Sequence, residues 1–385
     1  MLVPIEEARS LIEKMPFQAA RVTELTPYQA IGKVVAEDVR AIVDTPSRDV
    51  SAMDGYAFRY DDLLKYGALR IVGELFPKSV SPPSLNEGEA YYVTTGSPIP
   101  LGADTVARVE YTKVENGLLR VNGPISRGKD VRKRGEDVKS GDLLIARGTF
   151  LTPYHIPILE QQKIKSLKVF DVNFCVFGNG DEILPWGETG EGIPDSISPF
   201  FLKLLERFGK VKYQGVARDS LDDVKKLLSK CLVYDYVISI GGSSVGEKDF
   251  VKRATSEMGH LIFEGVSTNV IKRGGLGEIF GKPVLILPGQ IISAITVFHE
   301  HGLHVLSRMT GVELREYVRA KLGFRIDVDH KMDSVYLVKL DGGDAYPLRW
   351  GVGLYSELGK ASGFTILKRG LTYKQGDEVI VQRFI

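Results

Sequence analysis

The stretch KVFDVNFCVFG, residues 168–178, decides the fold class. It is a nearly continuous apolar run, which is typical of a strand that is buried on both faces. Further apolar, strand-like runs follow at 210–217, 233–242 and 282–290. Amphipathic helical patterns occupy 198–209, 221–231, 250–259 and 292–311. Strands that alternate with helices predict a parallel sheet covered on both faces, and ligands of such sheets bind outside the carboxyl ends of the strands.

The texture of the sequence differs on both sides of this region. Residues 1 to about 45 carry helical periodicity, whereas 46–150 hold short β-rich runs broken by Gly, Pro and Asn. Such runs are typical of small antiparallel sheets or barrels. The segment TPYHIPILEQQ, residues 152–162, is again helical, which indicates a first domain interrupted by a second. After about residue 312 the β texture returns and predicts a small C-terminal barrel or sandwich.

Composition excludes several classes of protein. The 385 residues carry a net charge of +1, from 50 basic and 49 acidic side chains, which argues against bulk binding of nucleic acid. No apolar run reaches the roughly 18 residues that a membrane span needs, and MLVPIEEARS lacks the layout of a signal peptide. The two cysteines, Cys175 and Cys231, show neither metal-ligand spacing nor a disulfide framework. We therefore expect a cytoplasmic protein in a reducing compartment.

Acidic residues follow several of the predicted strands. Asp181 and Glu182 form a pair in a glycine-flanked turn, where no helix cap explains both. Asp195, Asp219 and Asp249 each precede a helical pattern, where an aspartate is also a favoured N-cap. Five acids at one edge of a sheet would repel each other unless a cation lay among them. Mg²⁺ is the expected ion, since one or two carboxylates and substrate phosphate oxygens usually hold it.

The loop ISIGGSSVGEKD, residues 238–249, adds groups that suit an anion. Gly241, Gly242 and Gly246 let backbone N–H groups approach a ligand, and Ser243 and Ser244 add hydroxyls. The loop is not a Walker A motif, and a plain strand-to-helix turn is an equally good interpretation. Basic residues that could face an oxyanion, or could be solvated surface charges, are Lys248, Lys272 and Arg273. His299, His301 and His304 are interpreted as helix-face residues rather than metal ligands.

Several separated motifs occur in a recognisable order. They are SAMDGYA at 51–57, TTGSPIPLGADTVARVE at 94–110, RKRGEDVKSGD at 132–142, NGDEI at 179–183, DS at 195–196, GGSSVGEKD at 241–249 and LPG at 287–289. On these motifs the chain resembles the molybdopterin molybdenumtransferases, the MoeA and gephyrin E-domain family. The resemblance implies four domains. They are a helical and extended domain at 1–45 and 143–167, an inserted β domain at 46–142, a molybdopterin-binding α/β domain at 168–312 and a C-terminal β-barrel at 313–385.

The resemblance also implies an activity. Members of the family take adenylated molybdopterin, release AMP and insert molybdate, or tungstate, with the help of Mg²⁺. Their upstream donor is a molybdopterin adenylyltransferase. They are elongated homodimers, and the active site lies between the α/β domain of one subunit and the interrupted domain of the other.

Site residues follow from the same resemblance. The implied catalytic residues are Asp54, Asp137, Asp181 and Glu182, and the implied metal ligands are Asp181, Glu182 and Asp249. The implied substrate-binding residues are Thr95, Arg132, Asp219, Gly241, Gly242, Ser243, Ser244 and Lys272. The chain departs from the family pattern at Asn179, Ile197, Asn269, Gln290 and Ile291. Two alternatives therefore stay open, a divergent paralogue that binds pterin without turnover and a dimeric scaffold of the gephyrin E-domain type.

Overall fold

The computed structural model describes residues 2–242, 249–349, 351 and 355–385. The chain divides into two compact units. The large unit comprises Met1–Glu37, Arg147–Pro153 and Ser166–Ile385, and the small unit comprises Asp38–Ala146 and Tyr154–Lys165. The finer division into four domains stays a prediction.

A six-stranded sheet lies at the centre of the large unit, as far as its residues are described. Its parallel strands, in spatial order, are Val211–Ala217, Phe174–Asn179, Tyr236–Gly241 and Lys282–Leu287. Two antiparallel strands, Gly275–Ile279 and His260–Phe263, extend the sheet beyond Lys282–Leu287. The predicted α/β fold is confirmed, and the antiparallel edge is a feature that strand texture alone did not indicate.

The strand Phe174–Asn179 shows why its sequence is continuously apolar. Successive side chains of a strand point to opposite faces of the sheet. Phe174 and Val176 belong to one core cluster, whereas Cys175 and Phe177 belong to another. Both faces are covered, and each carries its own set of helices and apolar side chains. The helices of the large unit are Ile5–Lys14, Pro27–Ala30, Ser198–Leu205, Leu221–Cys231, Phe250–Met258, Ile291–Val297 and Leu303–Thr310, the last two joined by the π-helical segment Phe298–Gly302.

Two of these helices begin at side-chain caps. Ser220 precedes Leu221–Cys231, and its hydroxyl accepts a hydrogen bond from the Asp223 N–H at 3.2 Å. Asp249 precedes Phe250–Met258 and accepts from the Lys252 N–H, also at 3.2 Å. Such caps satisfy N–H groups that the first helical turn leaves without a partner. The N-cap interpretation therefore holds for Asp249, whereas Ser220 rather than Asp219 caps the preceding helix.

The antiparallel strand Gly275–Ile279, next to the edge strand His260–Phe263, was difficult to foresee because it reads GLGEI. A Cβ atom at Gly277 would lie 2.3 Å from the Thr255 Cγ2 atom. Only a glycine therefore lets the helix Phe250–Met258 pack this closely against the strand. Glycine weakens the β-strand pattern on which sequence-based prediction depends.

The C-terminal part of the large unit is a closed five-stranded barrel among the described residues, as expected for a C-terminal β-barrel. Its strands are Tyr317–Leu322, Ser334–Asp341, Asp344–Pro347, Gly363–Leu367 and Glu378–Arg383. Shorter strand pairs of the large unit are Arg21–Leu25 with Leu167–Asp171, Ile183–Leu184 with Ile193–Pro194, and Ile326–Asp327 with Thr372–Tyr373. A 3-10 helix spans Leu358–Lys360. None of the helices in the described chain is long and apolar enough to cross a membrane.

The small unit is built around a mixed β-sheet. Its strands, in spatial order, are Thr105–Arg108, Gly55–Phe58, Glu89–Val93, Leu69–Leu75, Leu118–Val121 and Thr112–Glu115. Further pairs are Val39–Arg40 with Leu143–Ile145 and Val50–Ser51 with Val131–Arg132. The helices are Tyr60–Tyr66 and Ile156–Gln161, with a 3-10 helix at Val109–Tyr111.

The two cysteines correct one expectation from the sequence. Cys175 and Cys231 form a disulfide with their Cα atoms 5.4 Å apart, so the interpretation that they stay unpaired is wrong. Cys175 lies on the strand Phe174–Asn179 and Cys231 ends the helix Leu221–Cys231, which packs against that strand. The 56 residues between them concealed the pairing, since only the fold brings the two positions together.

We expect the disulfide to be present in protein purified without reductant. Its reduction should lower the free energy of unfolding by about 2–4 kcal/mol, because the bond closes a long loop in the unfolded chain. Peptide mass mapping after alkylation identifies the link, and guanidinium unfolding with and without dithiothreitol measures its effect. Unfolding of the Cys175→Ala/Cys231→Ala variant should not respond to dithiothreitol. Alkylation of both cysteines in unreduced, folded-then-denatured wild type would contradict the assignment.

Candidate active site

A cavity of about 390 Å³ lies at the carboxyl ends of the parallel strands. Turns that follow three of these strands carry most of its polar lining. The lining residues that are polar or glycine include Asn179, Gly180, Glu182, Asp195, Ser196, Asp219, Gly241, Gly242, Arg273 and Tyr355. The position agrees with the rule that open parallel sheets bind ligands at this edge.

Hydrogen bonds join three polar residues at the wall of the cavity. The Asn179 Nδ2 group donates to the Asp219 Oδ1 atom at 3.0 Å. The Asp219 backbone N–H in turn donates to the Asp181 Oδ1 atom at 3.2 Å. Two of the predicted acids are therefore held in one network. Asp181 and Glu182 are exposed, so their carboxylates are accessible to a ligand.

Asn179 has hydrogen-bonding capacity that the protein leaves unused. Its side chain is buried, with 3% of its surface exposed, and its Oδ1 atom has no hydrogen-bond partner among the described residues. A buried acceptor without a donor costs free energy. An asparagine at the cavity wall with a free acceptor suits a substrate that brings a hydrogen-bond donor, such as an amino group of a heteroaromatic ring.

The turn after Tyr236–Gly241 requires glycine for two reasons. Gly241 and Gly242 have φ angles of +87° and +68°, a region that other residues rarely adopt. A Cβ atom at Gly241 would lie 2.6 Å from the Asn179 carbonyl oxygen, and one at Gly242 would lie 2.5 Å from the Asn179 Nδ2 atom. These glycines therefore keep the Asn179 side chain in place. Ser243 and Ser244, predicted to bind the same ligand, lie outside the described residues.

Asp195 holds the opposite side of the cavity together rather than standing free. Its carboxylate accepts from the Ser198 N–H and from the Tyr213 hydroxyl, both at 2.9 Å. Burial raises the pKa of Tyr213 well above its ordinary value, and the nearby Asp195 carboxylate adds to this shift. The hydroxyl therefore stays protonated and donates to Asp195 over the physiological pH range. Trp186 packs edge-on against Tyr213 at the cavity's outer side.

Two predicted residues of the large unit do not join this cluster. Asp249 caps its helix and pairs with Lys252, whose Nζ atom lies 2.7 Å from the carboxylate. Burial raises the pKa of Asp249, and the Lys252 charge opposes that shift. Lys272 lines a neighbouring cavity of about 300 Å³, which shares Arg273 and Gly289 with the main one. Among the described lining residues, Arg273 is therefore the basic one at the main cavity.

A separate polar cluster lies in the small unit. The Asp54 carboxylate accepts from the Thr95 N–H at 2.7 Å and from the Thr95 hydroxyl at 2.9 Å. These two hydrogen bonds, the backbone bond first, lower the pKa of Asp54. Asp54 of the motif SAMDGYA is thus an exposed anion that Thr95 holds in place.

Arg132 and Asp137 also lie at the surface of the small unit. Arg132 ends a strand that pairs with Val50–Ser51, which brings it beside the start of the SAMDGYA motif. Its Nε atom lies 3.4 Å from the Glu136 Oε1 atom, an exposed pair of small energetic value. Asp137 is exposed as well.

The residues described here contain no group of three or more His, Cys, Asp or Glu side chains placed to hold a metal ion. His299, His301 and His304 are buried in the long helical segment, and burial lowers the pKa of each. The metal set of Asp181, Glu182 and Asp249 stays a prediction.

Comparison with known proteins identifies the family. Residues 3–162 match the family model described as "MoeA N-terminal region (domain I and II)". Residues 175–308 match the model described as "Probable molybdopterin binding domain". The molybdopterin biosynthesis MoeA protein from Pyrococcus horikosii has the same fold, with a TM-score of 0.81, 28% identity and full coverage of both chains. The chain belongs to the MoeA family.

Curated MoeA-type relatives agree with this assignment. The molybdopterin molybdenumtransferase of Haemophilus influenzae is 28% identical over 319 residues, which cover 80% of this chain and 78% of the relative. The enzyme of the same name from Staphylococcus aureus (strain COL) is 29% identical over 327 residues, which cover 80% and 76%. Except for Tyr355, the residues that line the cavity lie within the part of this MoeA chain that matches the molybdopterin-binding model.

Sequence reasoning about this MoeA chain missed the role of several cavity residues. Asn179 was noted only as a departure from the family pattern, yet it links Asp219 to the glycine turn. Tyr213 and Tyr355 carried no motif at all. Nothing in the local sequence distinguishes such residues, because the fold alone determines which side chains converge at the strand ends.

Gly242→Ala tests the glycine turn of the MoeA cavity. The added methyl group should displace the Asn179 amide and break its hydrogen bond to Asp219, so we expect substrate binding to weaken about tenfold. Backbone strain at this positive φ should also lower the free energy of unfolding by about 1–2 kcal/mol. Gly281→Ala is a matched control, since its φ is +76° but no atom lies within 4 Å of its Cβ position. Equal loss of substrate binding in both variants would contradict the proposed contact.

Proposed function

We propose that this chain is a molybdopterin molybdenumtransferase, which inserts molybdate, or tungstate, into adenylated molybdopterin with release of AMP. The observation that supports the proposal most strongly is the cavity at the strand ends, where acids, a glycine turn and Arg273 meet in the molybdopterin-binding region. Relatives with this name match 80% of the chain. The family acts in molybdenum cofactor biosynthesis, and the proposal assigns one specific reaction of that biosynthesis to this chain.

The residues of the cavity suit an anionic substrate with a heteroaromatic ring. The Asn179 Oδ1 atom would accept from a ring amino group, which would satisfy its unused acceptor capacity. Gly241 and Gly242 leave room for Asn179 at the end of the sheet and so preserve the position of its amide. Arg273 would hold an anionic oxygen, since a guanidinium group offers several N–H donors to phosphate.

The donor set is compatible with Mg²⁺. Glu182 lines the cavity, and Asp181 is hydrogen-bonded to the lining residue Asp219; both carboxylates are exposed. Mg²⁺ is commonly held by one or two carboxylates together with substrate phosphates. Asp249 would first have to release Lys252 before it could bind a metal. When bound, the ion would neutralise charge that develops on the phosphate groups of the substrate. Asp219 would keep Asp181 oriented through its backbone N–H.

We propose further that a homodimer completes the active site. Asp54, Thr95, Arg132 and Asp137 form exposed polar groups on the small unit, and one subunit would present them to the large unit of its partner. The fixed orientation of Asp54 by Thr95 supports this part of the proposal, because an exposed carboxylate held in one position is preorganised for contact with a ligand. The upstream partner would be a molybdopterin adenylyltransferase, which supplies the adenylated substrate.

An assay of AMP release tests the proposed function. Purified protein is mixed with adenylated molybdopterin, Mg²⁺ and molybdate, and AMP is quantified by chromatography. We expect AMP to appear with Mg²⁺ and molybdate present and to fall to background with EDTA. Tight binding of adenylated molybdopterin without AMP release would favour the non-catalytic paralogue. Absence of both binding and AMP release would overturn the proposal and favour a scaffold.

A further inference from the structure

A second cavity, of about 530 Å³, lies in the large unit away from the candidate active site. A turn that contains Ile31 and Lys33 forms one side. The end of the helix Ser198–Leu205 and the residues after it, including Arg207, form another. Ile385 completes the lining. The cavity shares no lining residue with the candidate active site, and the proposed function does not use it.

Two half-buried cations line this cavity. The Arg207 guanidinium lies 4.6 Å from the centre of the Phe150 ring, and burial lowers its pKa. In the described part of the chain Arg207 forms no ion pair with a carboxylate. Burial also lowers the pKa of Lys33, although Glu206 and Asp171 oppose that shift. The Lys33 Nζ group donates to the backbone carbonyl of Glu206 rather than to a carboxylate.

Charges at the cavity are therefore out of balance. The carboxylate of Glu206 is bound by Lys203, with an Nζ–Oε2 distance of 2.6 Å. Among the described residues, neither Lys33 nor Arg207 forms an ion pair with a carboxylate, although the charges of Glu206 and Asp171 act on Lys33. Removing a charge from water without a counter-charge costs free energy, and a bound anion would recover part of that cost.

Apolar side chains supply the rest of the lining. Ile31, Phe200, Leu204 and Ile385 surround the space beside the two cations. Its volume falls in the range of small-molecule sites, which are mostly apolar with a few placed polar groups. An inorganic anion alone would leave this apolar surface in contact with water, whereas an anion with an apolar body would cover it.

We propose that this cavity binds a small amphipathic anion, whose charged group contacts Arg207 and Lys33 and whose apolar body contacts Phe200 and Leu204. The two half-buried cations fix the sign of the ligand's charge, and the apolar lining requires the body. The proposal is independent of the reaction at the strand ends, because the two cavities have separate linings.

Phenyl phosphate is a suitable probe, since it combines a phosphate with an aromatic ring. Titration calorimetry should show saturable binding of phenyl phosphate to the wild type, at least about tenfold tighter than that of inorganic phosphate, because the ring becomes buried. Benzyl alcohol, which lacks the charge, should bind at least about tenfold more weakly than phenyl phosphate. No binding of phenyl phosphate, or equal affinity for inorganic phosphate, would overturn the proposal.

Variants locate the binding site. Arg207→Met should weaken phenyl phosphate binding at least about tenfold, and Lys33→Gln should weaken it as well. Arg325→Met removes an exposed arginine of the barrel region and is the matched control, with unchanged binding expected. Thermal unfolding of each variant verifies the fold. Unchanged binding of phenyl phosphate in both Arg207→Met and Lys33→Gln would overturn the proposal. So would an affinity that falls as the protein concentration rises, because it would mean that another copy of the chain covers the cavity.

Discussion

Glu182→Gln is expected to reduce the rate of AMP release at least about 10²-fold while the fold is retained. Loss of a single preorganised electrostatic contact at a reacting centre has effects of this size. Glutamine keeps the shape of the side chain but removes the charge that would attract Mg²⁺ and its phosphate ligands. The fold should be unaffected because the Glu182 side chain is exposed and the residues that hold the turn in place are not altered.

The measurement is single-turnover AMP release with adenylated molybdopterin, Mg²⁺ and molybdate. Glu188→Gln is a matched control, because Glu188 is an exposed acid in the segment that follows the same turn but does not line the cavity. Unchanged melting temperatures in both variants exclude unfolding as the cause. AMP release by Glu182→Gln at a rate within threefold of Glu188→Gln would show that the carboxylate is not part of the reaction.

The main architecture of the large unit follows from periodicity in the sequence. KVFDVNFCVFG is apolar at successive positions because Phe174 and Cys175 point into different cores, and both cores exclude water. Burial of both faces also makes the strand recognisable in the sequence, since a strand with one solvated face would alternate apolar and polar residues. The antiparallel part of the sheet was not predictable in this way. The helix Phe250–Met258 packs so closely against Gly277 that this position has no room for a β-branched residue, and glycine gives no strand pattern.

The candidate site was predictable only in part. Position at the strand ends was sufficient to place Asp181, Glu182 and Asp219 near one cavity. It was not sufficient for Asp249, since a local ion pair with Lys252 satisfies its carboxylate. Hydrogen-bond partners depend on side chains that are distant in the sequence, and the pairing of Cys175 with Cys231 was missed for the same reason.

Arg9→Met is expected to cause the largest loss of stability among the variants proposed here. Arg9 makes a two-point contact with Glu300, with an Nε–Oε1 distance of 2.6 Å and an Nη2–Oε2 distance of 3.0 Å. The Glu300 side chain is fully buried, whereas 38% of the Arg9 side chain is exposed. Methionine would leave a buried carboxylate without its hydrogen-bonded counter-charge, at a cost of about 3–5 kcal/mol in the free energy of unfolding at pH 7.

The pH dependence of this loss separates a charge effect from a packing effect. Burial raises the pKa of Glu300, but the hydrogen bonds and charge of Arg9 outweigh it, so the pKa in the folded wild type lies below its ordinary value. The wild type therefore gains stability from this carboxylate at neutral pH and loses it as the pH falls through that lowered pKa. In Arg9→Met the hydrogen bonds and charge of Arg9 are lost, and only the weaker effects of His301 and Arg315 oppose burial. The pKa of Glu300 should therefore rise above its ordinary value.

Folded Arg9→Met should consequently bind a proton more readily than its unfolded chain as the pH falls from 7 toward 4.5. Its free energy of unfolding should then approach that of the wild type, because protonation removes the uncompensated charge. Urea unfolding of both proteins across this range measures the difference, in which the titration of all other groups cancels. The double variant Arg9→Met/Glu300→Gln has no buried charge to compensate, so it should be more stable than Arg9→Met at pH 7. Its free energy of unfolding should not approach that of the wild type in the same way as the pH falls. A difference in the free energy of unfolding that is independent of pH would mean that Arg9 acts through the packing of its aliphatic stem. The buried Glu300 carboxylate would then not depend on the charge of Arg9.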